Sequence, residues 1–73
     1  MTIVRDPGVR SGDPVVEGTR ITVGDVAERF YKLGRGSSSI ASDLGISEEE
    51  VEEALRYYHD QIVEKEKGSA AEA

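Results

Sequence analysis

The hydrophobic rhythm of this chain changes at Val23, and that switch constrains the fold more than any other feature. Before it, β-branched residues come in short runs broken by turn formers. After it, apolar side chains recur every three or four positions, the period of an amphipathic helix. The order is therefore a β and turn segment over residues 1–23 and a helical unit over 24–67. The expected fold class is mainly α with a small N-terminal β-hairpin.

Within the first segment, Ile3-Val4 ends at the Asp6-Pro7-Gly8 break, and Ser11-Gly12-Asp13-Pro14 makes a second break. Val15-Val16 and Arg20-Ile21-Thr22-Val23 then flank Glu17-Gly18-Thr19, which predicts a hairpin with Gly18 and Thr19 in its turn. A lone two-stranded hairpin is marginal in water. It must lie on the helices or pair with a strand of another chain.

In the helical segment, Val23, Val26, Ala27, Phe30 and Leu33 share one face of a helix spanning about 24–33, with Gly34 at its C-cap. Ser37, Ser38 and Ser39 offer N-cap oxygens to a short helix carrying Ile40, Ala41 and Leu44, which Gly45 ends. Ser47 and Glu50 have capping-box spacing and start a third helix over about 48–65, with Val51, Ala54, Leu55, Tyr58 and Ile62 on one face. Ala41, Gly45, Ser47 and Val51 together have helix-turn-helix spacing: a small residue at the crossing, glycine for the tight turn, and an apolar anchor in the following helix. Residues 1–67 read as one domain, and the tail 68–73 is expected to be disordered.

Seventy-three residues without cysteine exclude an interdomain cleft, a disulfide, a thiol nucleophile and a cysteine-based zinc site. So small a core supplies only about 3–5 kcal/mol, which makes self-association the natural supplement and predicts a homodimer. No run approaches the length of a membrane span and no secretory leader pattern opens the chain, so a cytoplasmic protein without membrane contact is expected. No phosphate-binding glycine loop occurs, and the single histidine, His59, reads as a surface residue. The acidic pairs of the third helix lack the burial that would raise a carboxyl toward catalytic range. The chain is read as non-catalytic, with no cofactor and no metal.

Charge is uneven. Residues 1–37 hold six basic and five acidic groups, whereas 38–73 hold three basic and ten acidic. In a helix-turn-helix protein the second helix presents its first turns to base edges. Here those turns carry Glu48, Glu49, Glu50, Glu52 and Glu53, which phosphate repels. DNA contact through the helix 48–65 is therefore disfavoured, and the motif reads as a packing device.

The run Asp6-Pro7-Gly8-Val9, then Gly12 and Pro14, then Gly18-Thr19-Arg20-Ile21 and Val23, resembles the domain-of-unknown-function family 433. Glu53-Ala54-Leu55 followed by Tyr57-Tyr58 resembles the end of the same family, so the likeness spans roughly residues 2–64. It implies a hairpin joined to a homeodomain-like three-helix unit. For part of the family it also implies a VapB-type antitoxin, which binds and neutralises a PIN-like ribonuclease toxin. Two departures stand out. Leu44-Gly45-Ile46-Ser47 replaces a connection that contains Tyr-Pro in many relatives, and Asp13 stands where a basic residue is common.

The candidate partner-binding residues are Arg5, Arg10, Arg20, Tyr57 and Ile62. The three arginines make the N-terminal region the likelier anion-binding surface. Arg20 either stacks or salt-bridges across the hairpin, or reaches a partner's phosphate or nuclease carboxylates by bidentate pairing. Tyr57 is either exposed or an interface anchor, while Tyr58 shares the core face. Arg29, Lys32 and Arg35 form a modest basic patch suited to a helix end. The alternative function is a DNA-binding transcriptional regulator, with the same molecule repressing its own operon.

Overall fold

In the computed structural model, residues 2–63 are described, with side chains through Gln61. Ile3–Val4 (β1) and Val15–Val16 (β2) pair antiparallel, Ile3 opposite Val16 and Val4 opposite Val15. Val23–Ala27 (α1), Ser37–Leu44 (α2) and Glu48–Tyr58 (α3) follow. The described residues are thus mainly helical, with three α-helices and a small N-terminal hairpin.

The hairpin joins different runs from those expected. The segment 20–23 contributes one bridge, Val15 opposite Thr22. Around that bridge, Val16 N–H donates to Ile21 C=O and Val23 N–H to Pro14 C=O, each at 2.9 Å. β2 is consequently flanked on both sides, with β1 as its ladder partner. The reason lies in Thr22, which is already committed as the N-cap of α1. Its Oγ1 accepts from Asp25 N–H at 2.9 Å, and Asp25 Oδ2 accepts from Thr22 N–H at 3.0 Å. A strand cannot continue through a residue that starts a helix.

The first helix also departs from its expected register. α1 gives way to a π-helical turn, Glu28–Lys32, closed by Leu33 N–H donating to Glu28 C=O at 3.2 Å. Val23, Val26 and Ala27 stay buried, whereas Phe30 and Leu33 are 38% and 63% exposed rather than in the core. The wider winding turns every residue after Ala27 away from the α-helical face. A second π-helical turn, His59–Val63, replaces the expected α-helical end of the third helix. The stretch beyond residue 63, the tail 68–73 included, lies outside the described residues.

Gly36 is the N-cap of α2, and it offers no side-chain cap. Of the three serines expected as caps, Ser39 is used otherwise: its Oγ accepts from Arg35 Nε at 3.0 Å and Nη2 at 2.8 Å. α2 ends at Gly45, whose φ is +72°. Gly45 N–H and Ile46 N–H both donate to Ala41 C=O, at 2.9 and 3.1 Å, which closes the last turn. Ser47 then caps α3, with Glu50 N–H to Ser47 Oγ at 3.0 Å and Ser47 N–H to Glu50 Oε1 at 2.8 Å. Gly45→Ala places a Cβ in open space but forces a left-handed alanine. The expected loss is about 1 kcal/mol, read as a lower urea midpoint at unchanged slope.

The core is aliphatic. Ile3 and Val16 from the hairpin meet Val23, Val26, Ile40, Ala41, Val51 and Ala54 from the helices. Tyr57 and Tyr58 pack at its margin, each half-buried. Two arginines of the expected basic patch clamp this periphery rather than decorate it. Asp43 Oδ2 accepts from Arg29 Nε at 3.3 Å and from Arg35 Nη1 at 3.2 Å, which ties the loop before α2 to both helices.

Candidate functional site

The segment between β1 and β2 turns through an unusual conformation. Arg10, Ser11 and Gly12 have φ of 49°, 58° and 83°, three successive left-handed residues of which two carry side chains. Such backbone is costly outside glycine and persists only where tertiary contacts enforce it. Here the contact is Arg10. Its Nη1 donates to Arg20 C=O at 3.0 Å and lies 3.4 Å from Asp25 Oδ2. Arg10 thus binds the turn before α1 to the helix cap.

That turn is held from within as well. Thr19 N–H donates to Val16 C=O at 3.0 Å across Gly18, whose φ is +80°. Thr19 Oγ1 donates to the same carbonyl at 2.8 Å and accepts from Ile21 N–H at 3.0 Å. Arg20 therefore sits on a backbone fixed on both sides. Its own side chain is exposed and makes no ion pair among the described residues.

Beside it runs a groove of about 460 Å³, lined by Val4, Asp6, Val9, Val15, Glu17, Gly18, Thr19 and Arg20. The valines make an apolar floor. Asp6 is partly occupied, since its Oδ1 accepts from Gly8 N–H at 2.9 Å. Glu17 and Arg20 are exposed and form a polar rim. An apolar floor with a charged rim is the usual anatomy of a protein-binding patch. The site suits an extended segment offering one apolar side chain to the valines and one carboxylate to Arg20.

The other candidates are scattered. Arg5 is exposed but does not line the groove. Tyr57 packs on the core margin, and the side chain of Ile62 lies outside the described residues. Gly18 and Thr19 shape the groove, while Ala41, Gly45, Ser47 and Val51 build the α2–α3 connection away from it. His59 and Asp60, both exposed, approach to 3.6 Å. Among the described residues no three His, Asp or Glu side chains converge as metal ligands. No described helix is long and apolar enough to cross a membrane.

Sequence reasoning put Phe30 and Leu33 on a core face and so missed their exposure. Phe30, Tyr31 and Leu33 are all exposed, Tyr31 at 54%. Tyr31 meets the ring of Phe30 edge-on at 5.0 Å and that of Tyr58 at 5.6 Å between centroids. No local signal marks the π turn that displays them.

A family model described as "Protein of unknown function (DUF433)" matches residues 3–58. No curated protein and no solved structure matches the chain.

Proposed function

We propose that this chain, which belongs to the DUF433 family, is a non-catalytic, antitoxin-type protein that grips another polypeptide through the Arg20 groove. The observation that carries the reading is the exposed guanidinium of Arg20 on an immobilised turn, at the mouth of an apolar groove. The fixed turn spares the cost of ordering its backbone on binding, and a guanidinium pairs a carboxylate through two hydrogen bonds. The family resemblance supplies the class of partner, a PIN-like ribonuclease of the cytoplasm. Such an enzyme clusters carboxylates to hold its metal ions, and an arginine placed among them displaces the cation charge they require.

The electrostatics of α3 support a protein partner over DNA. Glu48, Glu49, Glu52 and Glu53 are exposed, and Glu50 is engaged in the cap. A helix so charged gains nothing from a groove walled by phosphates.

The test is co-expression with a PIN-like ribonuclease encoded beside this chain, followed by purification and an RNA-cleavage assay. Co-purification and suppressed cleavage are expected. Separate migration, with cleavage undiminished at excess of this chain, overturns the proposal. A gel shift on the upstream DNA at two salt concentrations reads the regulator alternative. Little binding at either concentration is expected, and steeply salt-dependent binding would favour that alternative.

A further inference from the structure

We infer that the exposed aromatic turn Glu28–Lys32 is a self-association surface that joins two copies of this chain about a two-fold axis. The inference stands apart from the Arg20 groove and rests on different residues. Phe30, Tyr31 and Leu33 are 38%, 54% and 63% exposed, and the paired rings of Phe30 and Tyr31 stand beside an apolar groove that Tyr31 and Tyr58 help to line. The rings are already ordered by their mutual contacts and by Tyr58, so little freedom is lost when they are covered.

Charge selects the occupant. Glu28 and Lys32 are both exposed, bracket the two rings one turn apart, and form no ion pair among the described residues. In an antiparallel two-fold contact, Lys32 of each copy faces Glu28 of the other, so the surface is complementary to itself. The rest of the molecule permits that approach. The whole chain carries −6, yet Glu49, Glu52 and Glu53 project from α3 well away from the direction of Tyr58. A basic foreign partner would be drawn to those carboxylates, whereas the Tyr31–Tyr58 side is balanced in charge. A groove of about 360 Å³ lined by Ala27, Glu28, Tyr31, Lys32 and Tyr58 gives the contact its socket, with both charged residues of the pair on its wall.

Sedimentation equilibrium of the full chain tests this at high micromolar concentration. The wild type is expected to be a dimer. Lys32→Glu sets carboxylate against carboxylate twice across the axis, and Glu28→Lys sets ammonium against ammonium. Each variant alone is expected to weaken dimerisation at least about tenfold, with unchanged circular dichroism. Mixing the two variants is expected to restore a mixed dimer, which only a two-fold contact pairing these positions produces. A monomeric wild type overturns the inference, as do single variants that dimerise like the wild type, or a mixture that does not recover. Arg20→Glu should leave self-association unchanged, which separates this surface from the groove.

Discussion

Ile40→Ala is expected to leave the chain largely unfolded at room temperature. Ile40 has no accessible surface and belongs to the one cluster that gathers residues of the hairpin and all three helices. Truncating a buried isoleucine to alanine costs about 2–5 kcal/mol, the larger values arising where neighbours cannot close the gap. The neighbours here are short. Val16, Val23, Val26 and Val51 are fully buried, while the rings of Tyr57 and Tyr58 pack only at the margin of the cluster. A core of this size supplies only about 3–5 kcal/mol in all, so the loss rivals the whole. Urea titration followed by circular dichroism, at one fixed protein concentration, reads the result. Ile40→Val should lose about 1 kcal/mol and keep a cooperative transition. A loss below about 1 kcal/mol for Ile40→Ala would mean that Ile40 does not anchor the core.

Arg20→Glu is expected to weaken binding of the PIN-like partner by about a hundredfold or more. Breaking a desolvated, hydrogen-bonded charge pair costs about 2–5 kcal/mol, and reversing the charge adds repulsion from the carboxylates it met. A cost of about 2.8 kcal/mol already corresponds to a hundredfold. Folding should be untouched, because Arg20 is exposed and only its backbone is used internally. The other arginines calibrate the effect. Arg5→Ala removes an exposed charge outside the groove and should change affinity less than tenfold. Arg10→Ala leaves the guanidinium of Arg20 in place but releases its carbonyl and Asp25. Its loss should therefore fall between the two and be accompanied by lower stability. Isothermal titration of each variant against the partner reads the series. Equal affinities for Arg20→Glu and wild type would remove Arg20 from the interface.

The candidate site was half legible. Arg20 and the Gly18-Thr19 turn stand out in the sequence because a glycine and a hydroxyl residue between β-branched runs have few other uses. That Arg10 belongs to the scaffold was not legible. Its role depends on a left-handed turn that no glycine at positions 10 or 11 announces, and on Asp25, fifteen residues away. The Thr22–Asp25 box was readable in principle, since threonine precedes an acid by three positions. The outward turn of Phe30 and Leu33 was not, because their spacing fits an α-helical core face equally well.

Features satisfied within a few residues could be read along the chain. Gly45 stops α2, Ser47 and Glu50 start α3, and the apolar period carries Val51 and Ala54 inward, because each of these closes its own hydrogen bonds or buries its own face locally. Competitions between groups far apart in the chain were resolved by packing. Val16 takes Ile3 as its ladder partner because α1 has already claimed Thr22. Asp43 gathers Arg29 and Arg35, and the π turn lifts the aromatic row out of the core. Each outcome weighs alternatives of similar local energy, and the balance is tipped by contacts that exist only once the chain has folded.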